Sequence, residues 1–290
     1  MPLSKILFPT GFETLDFHCL ESLLVLRDAG LREIVLCHII PVEEVGFVPF
    51  GGYLKEEEER LREEARIRFE DWQDAIDKAG IRSRVVIEVG RLVPRIIHIA
   101  ESEGVDMVVL GKTKKTLSER FFVGSHALEV ASRLGIPSLM NKYMVHYEID
   151  GTEFTRTNDR IFDAPMLAFD WSGPSKRALE FLKWLKGVVK RVYVFHSIVP
   201  EDKEGMVKEE EVCREELSRC CDILGSAGIE AEMHVGSGEA VEEIIRFSRE
   251  RGVSMIITGT SGRRPMDELI HGSVSFRVAT LSELPTIMVP

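Results

Sequence analysis

Residues 104–140 read GVDMVVLGKTKKTLSERFFVGSHALEVASRLGIPSLM, and residues 252–288 read GVSMIITGTSGRRPMDELIHGSVSFRVATLSELPTIM. The two stretches align without a gap at an offset of 148 residues, so that Gly104, Gly111, Gly124, Ser125 and Pro137 fall on Gly252, Gly259, Gly272, Ser273 and Pro285. Self-similarity of this kind marks a duplication. Upstream, GFETLDF after KILFPT matches DWSGPSK after PMLAF at an offset near 159. The first half therefore carries about ten extra residues, around 41–63.

Each half repeats one punctuation. Short apolar runs alternate with helix-length segments: KILFPT, EIVLCHII, RVVIEV, DMVVLG and PSLM in the first half, PMLAF, RVYVFHSIV, AEMHV, SMIITG and PTIMV in the second. Unbroken apolar runs suit strands buried on both faces, as in a parallel sheet. Residues 54–79 and 206–227 are charged and periodic, as helices are. Gly30, Gly80, Gly104, Gly135, Gly228 and Gly252 stand where left-handed helix C-caps are wanted. Pro94 sits near a helix start, where its missing N–H does no harm. The reading is an α/β chain of two tandem doubly wound, five-stranded, parallel-sheet domains of Rossmann-like type. Their spans are residues 1–145 and 164–290, with the polar, aperiodic stretch 146–163 as linker.

With 290 residues, 44% of them hydrophobic and 29% charged, two ordinary globular domains are affordable. The net charge of -11 argues against a sequence-independent grip on nucleic acid. No run approaches the ~20 apolar residues of a membrane span. The N-terminus lacks the pattern of a signal peptide. The cysteines Cys19, Cys37, Cys213, Cys220 and Cys221 form no CxxC pair, which fits a cytoplasmic protein better than a disulfide scaffold. Cys220 and Cys221 read as helix residues rather than a redox pair.

In an open parallel sheet the ligand site lies outside the carboxyl ends of the strands, where the strand order reverses. In each half that point falls between the first and fourth strands. In the second half the fourth strand ends at Gly259. Gly259-x-x-Gly262, nine further residues and Gly272-Ser273-Val274-Ser275 follow it. Glycines let the backbone turn and approach a ligand. The helix opened by Gly272-Ser273 offers free N–H groups to phosphate, with the Ser273 and Ser275 hydroxyls beside them. Asp170, after the first strand, suits the sugar or base of a nucleotide. Arg263 and Arg264 stand where they could neutralise phosphate, or be solvated.

This G-x-x-G, nine residues, G-S pattern, with Asp170 at the other switch-point loop, resembles the ATP-binding signature of the universal stress protein family. Family features extend over nearly all of both halves. The resemblance implies an ATP site in the second half, with Mg or Mn on the phosphates. AMP, ADP or a cyclic nucleotide are the other ligands it leaves open. It also implies that Ser197, on the lip after the second strand, meets adenine through backbone atoms. The halves would pack as a pseudo-twofold pair, as separate chains do in the family, with PSLM and PTIMV as the contact edge. A further homodimer and an unidentified protein partner stay open.

The first half departs from the signature. Lys114 replaces the middle glycine, and Gly11 stands where the aspartate should be. This half is expected to bind ATP weakly or not at all. The contrary reading makes Lys112, Lys114 and Lys115 an altered anion site. His38 and His196 end the second strand of their halves, which speaks for fold rather than catalysis. No G-x-S-x-G, HExxH or Walker motif is present, so the site reads as a sensor or switch. The alternatives are a nucleotide-independent interaction module and a slow ATPase or adenylate-chemistry enzyme.

Overall fold

The apolar runs become strands, and the segments between them helices, in the order the duplication requires. The computed structural model describes residues 3–13, 15–46, 54–111, 123–149, 151–199, 203–260 and 273–290. The first half runs β1 (Lys5–Pro9), α1 (Asp16–Glu21), a 3-10 turn (Leu24–Ala29), β2 (Glu33–Pro41), α2 (Val42–Val45) and α3 (Lys55–Lys78). It continues through β3 (Arg82–Gly90), α4 (Leu92–Glu103), β4 (Met107–Leu110), α5 (Ser125–Arg133) and β5 (Ser138–Met140). A hairpin follows, β6 (Met144–Ile149) and β7 (Thr152–Thr157). The second half runs β8 (Met166–Ala168), α6 (Gly173–Trp184), β9 (Arg191–Ile198), α7 (Lys203–Ser226), β10 (Glu230–Ser237), α8 (Ala240–Glu250), β11 (Ile256–Gly259), α9 (Val274–Leu281) and β12 (Thr286–Val289).

The sheet order is β10-β9-β8-β11-β12-β5-β4-β1-β2-β3. Pairing is parallel within each half. The order reverses between β1 and β4, and again between β8 and β11, as the alternation of strands and helices implies. One antiparallel step joins the halves, with Ile287 of β12 opposite Leu139 of β5.

Local chemistry explains the elements. In α3, Glu56, Glu57 and Glu58 occupy the first turn, where the helix dipole favours acids. Ala65, Phe69, Trp72 and Ile76 recur at helical spacing and form its buried stripe. Gly104 ends α4 at φ +59 in a left-handed cap. Gly135 is not such a cap. Here α5 leaves through Leu134 in an extended conformation and turns directly into Pro137 and β5. The stretch read as a linker contains most of the β6–β7 hairpin, closed at Gly151 with φ +77. Its polarity reflects a ribbon exposed along β7.

On one face of the sheet a single apolar cluster runs through both halves, from Phe69 and Trp72 to Phe181 and Leu217. On the other face α4 and α5 cover the first half, and Phe276 and Ala279 of α9 join their cluster across the junction. Polar groups lock the same junction. Glu283 is fully buried and accepts from Arg249 Nε at 2.9 Å and Nη2 at 3.1 Å. Lys142 Nζ donates to the Ser282 carbonyl at 2.6 Å. Asn158 Nδ2 donates to the carbonyls of Lys142 and Glu283.

Candidate functional site

The turn after β8 carries Asp170. Its Oδ1 accepts from the Ser172 amide at 3.1 Å, which folds Asp170-Trp171-Ser172 into a tight turn. Burial alone would raise the Asp170 pKa. Hydrogen bonds from Ser172 and Ser175 and the nearby His196 outweigh it, and the carboxyl sits below the usual carboxylate range. Asp170 is exposed and ionised at the switch point. Ser172 then caps α6, its Oγ accepting from the Ser175 amide at 3.2 Å, and Pro174 supplies the first turn.

The fourth-strand glycine has a structural reason the sequence did not reveal. A Cβ on Gly259 would stand 2.4 Å from both Pro174 C and Ser175 N. The end of β11 is thus pressed against the start of α6, and that packing requires glycine. Thr260, the next residue, is buried, and its Oγ1 has no hydrogen-bond partner among the described residues. Ser273 is the N-cap residue of α9, but its hydroxyl is spent on Ser275 Oγ at 2.8 Å and caps no amide. Val274 follows as the first residue of α9 and is exposed. Ser197 lies within β9 rather than after it, and its Oγ donates to the Gly238 carbonyl at 2.8 Å, tying the end of β9 to the loop after β10. Gly262, Arg263, Arg264 and Gly272 lie outside the described residues, as do Lys112, Lys114 and Lys115 of the first half.

The structure places Asp170 just beyond β8, Ser197 near the end of β9 and Gly259 at the end of β11, and Ser273 and Ser275 at the start of α9. Sequence reasoning missed two duplicated features there. Trp171 and Phe12 both adopt φ +60, a left-handed conformation rare for aromatic residues. Each ring packs on the second-strand histidine of its half, at 4.1 Å for Trp171 and His196 and 4.8 Å for Phe12 and His38. Each histidine in turn donates from Nδ1 to a carbonyl at the end of the first strand, Phe169 or Thr10. Positive φ at an aromatic contradicts local propensity, so no sequence signal announced it. Arg277 of α9 also pairs with Glu239 at 2.8 Å, which joins α9 to the start of α8.

The first-half counterpart is built differently. At the offset of 159, Glu13 replaces Ser172 and Asp16 replaces Ser175. Helix α1 begins only at Asp16, whose Oδ2 accepts from Thr10 Oγ1 at 2.6 Å and the Glu13 amide at 3.0 Å. With the helix start withdrawn, a Cβ on Gly111 would meet, among the described residues, only Asp16 Oδ1, at 4.0 Å. The space left is a cavity of about 130 Å³, reaching from Thr10 and Asp16 to Leu110, Gly111 and Val130. A larger cavity of about 840 Å³ opens beside it, between α3, α4 and α5.

Comparison with known proteins bears on the family and the fold. The family model described as the universal stress protein family matches residues 3–142 and 165–290. The universal stress protein MJ0577 of Methanocaldococcus jannaschii is 28% identical over 152 residues, 48% of this chain and 94% of that protein. The universal stress protein YxiE of Bacillus subtilis is 32% identical over 98 residues, 34% of this chain and 64% of that protein. The crystal structure of a universal stress protein from Archaeoglobus fulgidus superposes with a TM-score of 0.73 at 22% identity, covering 99% of this chain and 96% of that one.

Proposed function

Because the chain belongs to the universal stress protein family, we propose that it is an ATP-binding regulatory protein whose nucleotide sits at the order reversal of the second half. The observation that carries this reading is the start of α9. Among the described residues its amides receive no side-chain cap, and the Ser273 and Ser275 hydroxyls bond each other. An uncapped helix start presents donors to a phosphate. Thr260 adds a buried hydroxyl with no described partner, and Asp170 an ionised carboxylate for the sugar or base at the opposite rim.

The residues fit a metal only as a passenger of the nucleotide. Among the described residues no group of three or more His, Cys, Asp or Glu could hold a metal ion. Mg is commonly held through substrate phosphates and water, with one or two carboxylates at most. Among the described residues nothing at the site supplies an evident general base, and we read the binding as biasing a conformation that another protein reads. We read the β5–β12 step as the contact edge of a pseudo-twofold pair in which one half binds and the other supports. The chain would work in the cytoplasm, where its free cysteines stay reduced. Among the described residues no helix is long and apolar enough to cross a membrane.

The test is mass spectrometry of nucleotide released from the purified protein, followed by melting with Mg-ATP. Ligand at ~100 times its dissociation constant adds about 2.7 kcal/mol, or roughly 5–10 °C for a domain of this size. Asp170→Ala and Gly262→Lys should each shrink that shift. No released nucleotide and no shift at millimolar Mg-ATP would overturn the reading. Phosphate release above that of Ser273→Ala would make the protein an ATPase instead.

A further inference from the structure

The β6–β7 ribbon forms a two-stranded sheet of its own and pairs with none of the strands of the main sheet. A lone hairpin is marginally stable in water, and a further strand or a packed face is what makes one persist. The packed side of this ribbon is β6. Val145 is buried, and the Arg249 guanidinium lies over the Tyr147 ring at 5.9 Å. β7 is exposed at every residue but Arg156. Phe154 stacks on Tyr147 at 5.5 Å and is still 42% exposed.

The outer edge of β7 is unguarded. The Asn158 amide donates to the Tyr143 carbonyl at 2.6 Å, and bonded pairs alternate along an antiparallel ladder. Arg156 with Val145 and Phe154 with Tyr147 are therefore bonded pairs, and the backbone groups of Glu153, Thr155 and Thr157 face outward. Native proteins blunt such an edge with proline, lysine or a bulge. The strand TEFTRT has no proline or lysine. Its arginine is turned inward, with Arg156 Nε donating to Asn158 Oδ1 and Nη2 to the Val253 carbonyl, both at 2.8 Å. β3, an end strand of the main sheet, shows the contrast, because Arg62 donates to its Ile87 carbonyl.

The exposed strand is complementary to itself. Two copies of β7, laid antiparallel about an axis at Phe154, set the outward groups of Glu153 against those of Thr155 in both directions. The Tyr147–Phe154 stack then continues into Phe154 and Tyr147 of the second copy, and aromatic pairs of this kind stabilise a sheet. On the other face Glu153 stands opposite Glu148 of its own hairpin, a like-charge pair that costs stability. The second copy brings its Thr155 beside Glu153. His146 Nδ1 is 2.8 Å from Thr155 Oγ1. With Nδ1 as the donor, the Thr155 hydroxyl is left to donate to Glu153 of the second copy.

We propose that the outer edge of β7 is a self-association surface, on which a second copy of this chain adds its own β7 antiparallel and the two ribbons become one sheet. The second copy approaches from the side away from Val145 and Arg249. The contact is short and belongs with small, transient interfaces. It does not depend on nucleotide binding.

Sedimentation velocity of the full chain between ~1 μM and ~1 mM reads the association, and the dissociation constant should fall inside that range. Thr155→Pro should weaken it at least about tenfold, because the N–H it removes faces outward and serves no bond of the hairpin. Its thermal melt should match that of the wild type. Phe154→Cys, on the axis, should form a covalent dimer on mild oxidation, since opposed residues of this kind have Cα atoms about 4.5 Å apart, within disulfide reach. Glu148→Cys, on the inner strand, should not. This pair keeps the proposal testable if Thr155→Pro folds poorly. The proposal falls if the chain is monomeric at ~1 mM, or if a folded Thr155→Pro associates like the wild type. It also falls if Phe154→Cys cross-links no faster than Glu148→Cys.

Discussion

Gly259 and Gly111 occupy the same place in the duplicated unit, yet replacing each with alanine should have opposite effects. At Gly259 the new Cβ would lie 2.4 Å from Pro174 C and Ser175 N and 2.8 Å from Pro174 Cβ. Carbon contacts are comfortable near 3.5–4.0 Å, so the start of α6 must retreat by about 1 Å. Both obstacles at 2.4 Å are backbone, and no rotamer change relieves them. Overpacking costs about 1–3 kcal/mol, and forced backbone movement belongs at the upper end. At Gly111 the nearest atom among the described residues is Asp16 Oδ1 at 4.0 Å. There alanine gains about 0.4–1 kcal/mol by stiffening the unfolded chain. The two variants should therefore differ by about 3–4 kcal/mol. At roughly 2–4 °C per kcal/mol, their melting temperatures should differ by around 10 °C. Urea titration and thermal melting of nucleotide-free protein, followed by circular dichroism, measure both. Equal losses in the two variants would refute the packing argument and point to a shared loop requirement. A wild-type melt for Gly259→Ala would refute it outright.

Three further outcomes follow from the junction between the halves. Glu283→Gln leaves the half-exposed Arg249 guanidinium without its anion; with solvent screening the remaining charge, the loss should be about 1–3 kcal/mol, and Arg249→Met in the same chain should return part of it in a double-mutant cycle. Burial lowers the Lys142 pKa to about 7, with Glu283 opposing the shift. The unfolded chain therefore holds more protons than the folded one between pH 7 and the ordinary lysine value, and stability should rise with pH across that window; Lys142→Met should abolish the rise in urea titrations from pH 7 to 9. A Cβ on Gly187 would stand 1.9 Å from the Asp28 carbonyl oxygen and 2.9 Å from the Ala29 amide, so Gly187→Ala should loosen the halves and lower the melting temperature by several degrees, at about 1–3 kcal/mol.

The strands were legible because burial on both faces writes itself as unbroken apolar runs, and β4 and β12 are buried at every residue. The order reversal followed from the alternation of strand and helix. The junction cluster was not legible. Arg249 and Glu283 stand in different helical neighbourhoods, and Lys142 lies 140 residues from Ser282. Only tertiary packing brings them together, and charged residues ordinarily read as surface. The hairpin was hidden for a related reason. Its strands pair with each other rather than with the sheet, so they lack the apolar run that marked the others. For the candidate site, the sequence names Asp170 and Ser273 as candidates but says nothing of their local bonding. The tight turn at Asp170 and the Ser273–Ser275 bond depend on side-chain geometry that spacing does not encode.

The difference between the halves is read in the sequence at Gly11 and Lys114, and the structure adds Glu13 and Asp16 to it. Gly11 and Lys114 drew attention because they break a signature. The exchange of Ser172 and Ser175 for Glu13 and Asp16 breaks no signature, yet it changes the fold locally. In the second half a serine cap and Pro174 start α6 early, and Gly259 lets β11 close on it. A carboxylate at the Ser175 position would be driven into that contact and desolvated, at a cost of several kcal/mol. In the first half α1 instead starts at Asp16, and the vacated volume becomes the smaller cavity. The late start of α1 and the opening of the cavity thus have one cause. Restoring aspartate at Gly11 and glycine at Lys114 would leave the Asp16 carboxylate beside Gly111, so a nucleotide site there also requires serine at Glu13 and Asp16.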